Sequence, residues 1–208
     1  MSAIAEVAGA SSTGSPSPST SVASKNRIVL SQGCIVCDSV VFRGAFKVTI
    51  GPGCVLQPQC VIDASAGDII LGADNVLEER CVIRNASLSD LKVGSMNVFE
   101  VGCIVEAASV GDCNFFGSKS HVHQGSAVGD RCMVGVGTSL PKNYNLQSGS
   151  VAYRLGENDL VTRYQPSAAD LYCKEARMYL NSLRNPMSRN CLLNFHQLLM
   201  VEGSGPVP

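Results

Sequence analysis

Tryptophan is missing from this chain of 208 residues, and aromatic side chains make up only 5% of it. Thick interiors draw much of their buried area from such side chains. Their scarcity, beside abundant Val, Ile, Gly and Cys, argues against a conventional α/β core and for thin, regular β layers. Histidine is nearly absent too, with three copies, which restricts any chemistry that depends on imidazole. There is no surplus of charge: 16 Lys and Arg stand against 17 Asp and Glu. A net charge of −1 gives no general electrostatic pull toward nucleic acid or an anionic membrane. No apolar run approaches the roughly 20 residues a membrane-spanning helix needs. The N-terminus lacks the basic and apolar regions of a signal peptide, so the ten cysteines are expected to be cytosolic thiols.

What the chain does have is a period. Between Val110 and Leu140 a bulky apolar residue falls every sixth position: Val110, Phe116, Val122, Val128, Val134 and Leu140. The same spacing extends back in triplets: Leu30, Val36, Phe42; Ile50, Leu56, Ile62; Leu71, Leu77, Ile83; Val93, Phe99, Val105. Every break in the period falls between triplets. Three hexapeptides therefore make one turn of a three-sided coil of about 18 residues, and successive turns stack as a parallel β-helix. Insertions are expected at one corner, where they leave the strand ladders undisturbed.

Side chains on a strand alternate faces, so the residue two before each slot also points inward, and near a corner only a small one fits. Cys34, Cys54, Cys60, Cys81, Cys103 and Cys132 hold that position, which explains six of the ten cysteines as small core residues. Cys34 and Cys37 form the one C-x-x-C, and a zinc site would want a second pair. Asn75, Asn97 and Asn114 hold the equivalent place in three consecutive turns and are expected to stack as an amide ladder. Gly51, Gly72, Gly94, Gly111 and Gly129 follow the first slot of successive turns and mark one corner, where glycine relieves the backbone's steric limits.

The ends read differently. Residues 1–25 are rich in Ser, Ala, Gly, Thr and Pro and bury too little to offset ordering entropy, so a disordered tail is expected. The β-helix is assigned to 26–155, with a partial seventh turn around Leu146 and Val151, and residues 156–208 to a C-terminal helical segment and tail. There, Gln165-Pro166-Ser167 with Asp170 resembles a helix start. Tyr172, Ala176, Tyr179 and Leu183 follow at helical spacing and are expected to lie on one face of the prism. Ser188 opens a second stripe of Leu192, Phe195 and Leu199.

Hexapeptide coils carry acyltransferases, γ-class carbonic anhydrases and scaffolds, and the first two need histidine. His121 and His123 flank the inward Val122, so both point outward; nothing in the sequence supplies an orienting partner for a catalytic base. They read as surface residues, as does His196. The stretch from Arg43-Gly44-Ala45 through "VTIGPGCVLQPQCVID" resembles the γ-class carbonic anhydrases, with Gln57 matching that family's glutamine. Its aspartate position holds Ala45, and its three zinc-histidine positions hold Asp63, Ser95 and Glu100. A catalytic zinc needs three good ligands and an open position, so no catalytic, cofactor or metal site is assigned.

"GADNVLEERCVIRNA" (72–86), "VGSMNVFEVGCIVEA" (93–107) and "VGDCNFFGSKSHV" (110–122) resemble the corresponding stretches of the dynactin subunit 6 family, over roughly residues 28–200. The resemblance implies an all-β, left-handed parallel β-helix of six to seven turns with a C-terminal α-helical segment. It implies a non-catalytic structural subunit of the dynactin pointed-end complex, supporting dynein-driven microtubule transport and cargo attachment, with no cofactor. The partners it implies are a sister β-helix subunit stacked end to end, other pointed-end subunits including an actin-related protein, and cargo adaptors. Neither nucleic acid nor direct membrane insertion is implied. The places it implies are cytoplasm and cytoskeleton, and the kinetochore in mitosis. The family's mitotic kinase docking uses a C-terminal Ser/Thr-Pro site, whereas here Ser204 precedes Gly205. The alternative reading is a hexapeptide acyltransferase or a degenerate γ-class carbonic-anhydrase-like protein.

Overall fold

A computed structural model describes residues 27–156, 159–165, 174 and 178–183. The expected tail at 1–25, the helix start at 165–170 beyond Gln165, Tyr172, Ala176, the second stripe and His196 all lie outside these residues.

Each hexapeptide forms one short strand. The first coil comprises β1 (Ile28–Leu30), β2 (Ile35–Val36) and β3 (Val41–Gly44). The second comprises β4 (Val48–Ile50), β5 (Val55–Leu56) and β6 (Val61–Ala64), and the third β7 (Ile69–Leu71), β8 (Val76–Leu77) and β9 (Val82–Arg84). The fourth is β10 (Leu91–Val93), β11 (Val98–Phe99) and β12 (Ile104–Val105), and the fifth β13 (Ser109–Val110), β14 (Phe115–Phe116) and β15 (His121–Val122). The sixth is β16 (Ala127–Val128), β17 (Met133–Val134) and β18 (Ser139–Leu140). A partial seventh is β19 (Asn145–Leu146) and β20 (Ser150–Leu155).

Strands three apart in sequence pair in parallel, which gives a face of seven strands (β1 to β19), a second that starts at β2, and a third of six (β3 to β18). The slots register on one another: Phe99 pairs with Leu77 and Phe116, and Val105 with Ile83 and Val122. The seventh turn continues this through Leu146 opposite Val128. On the second face the inward residue is Ala152, opposite Val134, while Val151 points outward opposite Met133. A strand with no counterpart in the sequence reading, β21 (Asp159–Tyr164), pairs antiparallel with β20.

The slots are the core. Ile50, Leu56, Ile62, Leu77, Ile83, Phe99, Phe116, Val122 and Leu140 are fully buried, each stabilising the coil by about 1.5–3 kcal/mol relative to exposure. Phe99 and Phe116 stack with centroids 4.7 Å apart. Cys54, Cys60, Cys81, Cys103 and Cys132 are buried beside them as free thiols, and Cys34 is half-buried. The Cys60 thiol donates to Glu78 O at 2.9 Å and the Cys81 thiol to Glu100 O at 3.0 Å. Burial pushes the Cys54 thiol up to about 11, which keeps it protonated and inert.

The asparagine ladder forms, with backbone as much as side chain for its rungs. Asn75 Oδ1 accepts from the Asn97 side-chain amide at 3.0 Å and also from Asn97 N–H. Asn97 Oδ1 accepts from Asn114 N–H at 2.8 Å, and Asn114 Oδ1 from Cys132 N–H at 2.6 Å. The ladder thus closes on the next coil's backbone, and Asn114 Nδ2 is left buried without a partner.

The glycine corner exists for a different reason from the one expected. Gly51, Gly72, Gly94, Gly111 and Gly129 do not adopt positive φ. A β-carbon on Gly94 would instead sit 2.6 Å from the backbone of Gly111, and one on Gly111 2.8 Å from Gly129. Close approach of stacked coils, not dihedral freedom, excludes a side chain there. The left-handed conformation falls two residues later, on Asp74, Met96, Cys113 and Arg131 among others, whose φ lies between 52° and 61°.

On the second face, outward-pointing Val55, Val76 and Val98 are covered by Leu180 and Leu183 of the helical stretch 178–183. Tyr179 and Leu183 therefore face the prism as expected, and Leu180 joins them. Insertions gather at the corner between the third face and the first. The largest, after β9, is ordered by Asn85, whose amide donates to Asp68 O and Ser89 O.

Candidate functional site

Asp63, Ser95 and Glu100, the residues that the sequence resemblance sets against the zinc ligands of γ-class carbonic anhydrases, are separately engaged. Ser95 Oγ accepts from Ala73 N–H at 3.0 Å, and Ser95 N–H donates to Asp112 Oδ1 at 2.6 Å. These contacts belong to a corner column in which each side chain caps the backbone of the coil before it; Asp130 does the same for Asp112 N–H at 2.8 Å. Glu100 Oε2 accepts from Ser118 N–H and Oγ at 2.8 and 2.9 Å. Asp63 accepts from Ser65 Oγ and pairs with Arg84 at 3.2 Å. Gln57 lies against the C-terminal helix, its amide 3.2 Å from Tyr179 Oη. Burial raises Glu78 in the same pocket of contacts, and burial together with Glu78 raises Tyr179. Gly44, of the Arg-Gly pair, has φ 86° and no room for a β-carbon, which would fall 2.1 Å from Ala64 O. Ala45 follows it on the exposed surface.

His121 and His123 do point outward on either side of the buried Val122. They are not isolated. Their rings lie 3.7 Å apart, and His121 Nε2 is 3.2 Å from Glu106 Oε2. His123 Nε2 is 3.0 Å from Ser139 Oγ. The orienting carboxylate that the sequence reading did not find is therefore Glu106. Its other oxygen is held by Arg84 Nη1 at 2.7 Å, and Arg84 Nε reaches back to Asp63.

The register explains this column. Arg43, Asp63, Arg84, Glu106 and His123 each follow the third slot of consecutive coils, so stacking sets them one above another, the first four with alternating charge. Reading the residue after each slot down the coils would have exposed the column, and with it Glu106. Burial pushes the Glu106 carboxyl up, but hydrogen bonds from His121 and Arg84 outweigh it and hold the group below its ordinary range. Asp63 is likewise held low, by Ser65 and Arg84 against burial. Burial, then the neighbouring His121, lowers His123.

Among the described residues, Glu106, His121 and His123 form the one group of three His, Cys, Asp or Glu side chains whose ligand atoms converge, all within 4.8 Å. The Cys34–Cys37 pair is not part of any such group; Cys34 donates its thiol to Gly51 O at 3.1 Å. No described helix is long and apolar enough to cross a membrane.

Three stacked parallel faces, hexapeptide slots and capped corners place the chain among the hexapeptide-repeat β-helix proteins. Solved structures agree on the fold. A hexapeptide transferase family protein from Anaplasma phagocytophilum superposes with a TM-score of 0.50 at 18% identity, over 73% of this chain and 96% of that one. A UDP-N-acetylglucosamine acyltransferase superposes with a TM-score of 0.53 at 16% identity, over 82% and 80%. No protein-family profile matches the chain. Sequence relatives are more specific. Dynactin subunit 6 of Dictyostelium discoideum is 31% identical over 150 residues, 71% of this chain and 78% of that protein. Dynactin subunit 6 of Xenopus tropicalis is 41% identical over 71 residues, and that of Caenorhabditis elegans 40% over 58. These two matches span about a third of each relative, 34% and 31%. The chain belongs to the dynactin subunit 6 family.

Proposed function

We propose that the chain is a non-catalytic structural subunit of dynactin, placed in the pointed-end complex of the cytoplasm and cytoskeleton, where it supports dynein-driven microtubule transport and cargo attachment. In this reading it stacks end to end on a sister β-helix subunit, beside other pointed-end subunits that include an actin-related protein and within reach of cargo adaptors. The observation that carries the reading is the state of the first coil. Ile28, Val29 and Leu30 of β1 are 37%, 39% and 48% exposed, and Val41 of β3 is 42% exposed. In β1, β2 and β3 one edge of each strand pairs with the coil above and the other has no strand partner among the described residues. Exposed apolar side chains beside unpaired strand edges invite strand addition. A partner with the same three-sided section would continue all three ladders. The engagement of Asp63, Ser95 and Glu100 in structural bonds supports the non-catalytic half of the proposal.

Co-expression tests it. With the sister subunit, a stable one-to-one complex is expected on size exclusion, whereas the chain alone self-associates. Val36→Pro in the first coil should abolish the complex. A chain that remains monomeric at high concentration and ignores the sister subunit would defeat the proposal.

One observation favours the alternative, a hexapeptide acyltransferase: His121 and Glu106 make the base-and-carboxylate pair that such chemistry uses. Acyl transfer from acyl-CoA that is lost in His121→Ala would establish that reading instead.

A further inference from the structure

We propose that Glu106, His121 and His123 form a binding site for one divalent transition-metal ion, with zinc the fitting member of that class. The site follows from the strand geometry. Val122 is fully buried, so residues 121 and 123 must leave the same outer face. Val105 pairs with Val122, which brings Glu106 level with His123 on the adjoining coil, roughly 4.8 Å away. The result is three ligand atoms within 4.8 Å of one another on a half-buried surface. Zinc bonds of about 2.0–2.2 Å require ligand atoms roughly 3.3 Å apart, and His121 Nε2 and Glu106 Oε2 already stand at 3.2 Å.

The donor set is selective. Two imidazoles and one carboxylate suit zinc and its neighbours, whereas magnesium and calcium want oxygen ligands. The outer contacts are those that ligating groups require. Arg84 occupies Oε1 of Glu106 at 2.7 Å and leaves Oε2 on the side of His121. Ser139 Oγ holds Nε2 of His123 at 3.0 Å, so the other ring nitrogen is the one assigned to the metal. Three protein ligands leave a fourth position open to water or to a donor from a docked partner. A hydrogen-bonded Glu106–His121 pair would account for those two residues without a metal. That pair gives no role to the second imidazole, whose ring centroid lies 3.7 Å from that of His121 and whose Nε2 is oriented by Ser139. The site shares no residue with the trio Asp63, Ser95 and Glu100, and it stands whether or not the end-stacking proposal holds.

The test is calorimetric titration of the chelator-treated full chain with zinc, with magnesium as the control and cobalt absorption as a second readout. One equivalent of zinc should bind without competition from magnesium, and cobalt should give a spectrum free of thiolate bands. His121→Ala and His123→Ala should each weaken binding at least roughly tenfold, and Ser139→Ala by a smaller factor. Where a histidine variant fails to fold, the near-isosteric Glu106→Gln carries the test with the same expected direction. Absence of zinc binding by the unaltered chain would overturn the proposal. So would binding undiminished in folded variants, or a strong cobalt–thiolate band that assigns the metal to cysteine.

Discussion

The two ends of the prism use the same hexapeptide code and reach opposite outcomes. At the C-terminal end Leu146 is 1% exposed, Tyr144 and Leu160 pack against the core, and β21 extends the second face. At the N-terminal end Leu30, in the equivalent slot, is 48% exposed, and Val36 and Phe42 are only partly buried. Both slots hold leucine, and the residue two before it is Tyr144 at one end and Ile28 at the other. A slot residue is buried by the coils above and below it, so its contribution to stability depends on its neighbours. A coil-stacked protein is therefore least stable where stacking stops, and that end is also where a matching partner has most to add.

The sharpest way to break this comparison is to truncate the same side chain in both places. Leu77→Ala, in the middle of the stack, should cost about 2–5 kcal/mol in urea unfolding. Leu30→Ala should cost the isolated chain well under half of that and weaken the complex with the sister subunit much more. Equal losses in the isolated chain would show that the first coil is already covered.

Glycines sharpen the comparison at a smaller scale. A methyl on Gly94 meets backbone of the next coil at 2.6 Å, whereas one on Gly33 has no neighbour nearer than 3.8 Å. Gly94→Ala should cost about 1–3 kcal/mol through overpacking. Gly33→Ala should cost about 1 kcal/mol, from its φ of 75° alone. Thermal unfolding of the two variants checks the order.

The smallest effect concerns acid. Asp63 and Glu106 sit below their ordinary carboxylate ranges in the folded chain. Their stabilisation is fully present above the unfolded-state values and disappears as pH falls through the folded ones. Unfolding midpoints should therefore drop below about pH 4, and Arg84→Met should flatten that drop by removing the guanidinium both carboxylates share. A profile unchanged in Arg84→Met would separate the column from acid stability.

Much of the coil was legible because its signal repeats. The six-residue period gave the slots, and the small residues two before them gave the buried cysteines and the asparagine ladder. The stripe around Tyr179 and Leu183 gave the helix face. Other features depended on what lies one coil away. Ser150 and Tyr164 bound a hairpin whose second strand has no hexapeptide slot, so β21 was invisible to the period. Glu106 is 15 residues from His121, and only the register between coils makes them neighbours.

The sequence by itself determined the three-sided coil, its core and its corners, because each hexapeptide specifies its inward slot and one tight turn locally. It also carried the family likeness, through blocks such as "NVFEVGC" that no generic hexapeptide contains. Tertiary structure alone decided which slots are dry, why the corner glycines cannot carry a side chain, and which charged groups meet on the third face. Those outcomes are set by contacts between coils at about 4.8 Å, a distance that is fixed only once the chain has wound upon itself.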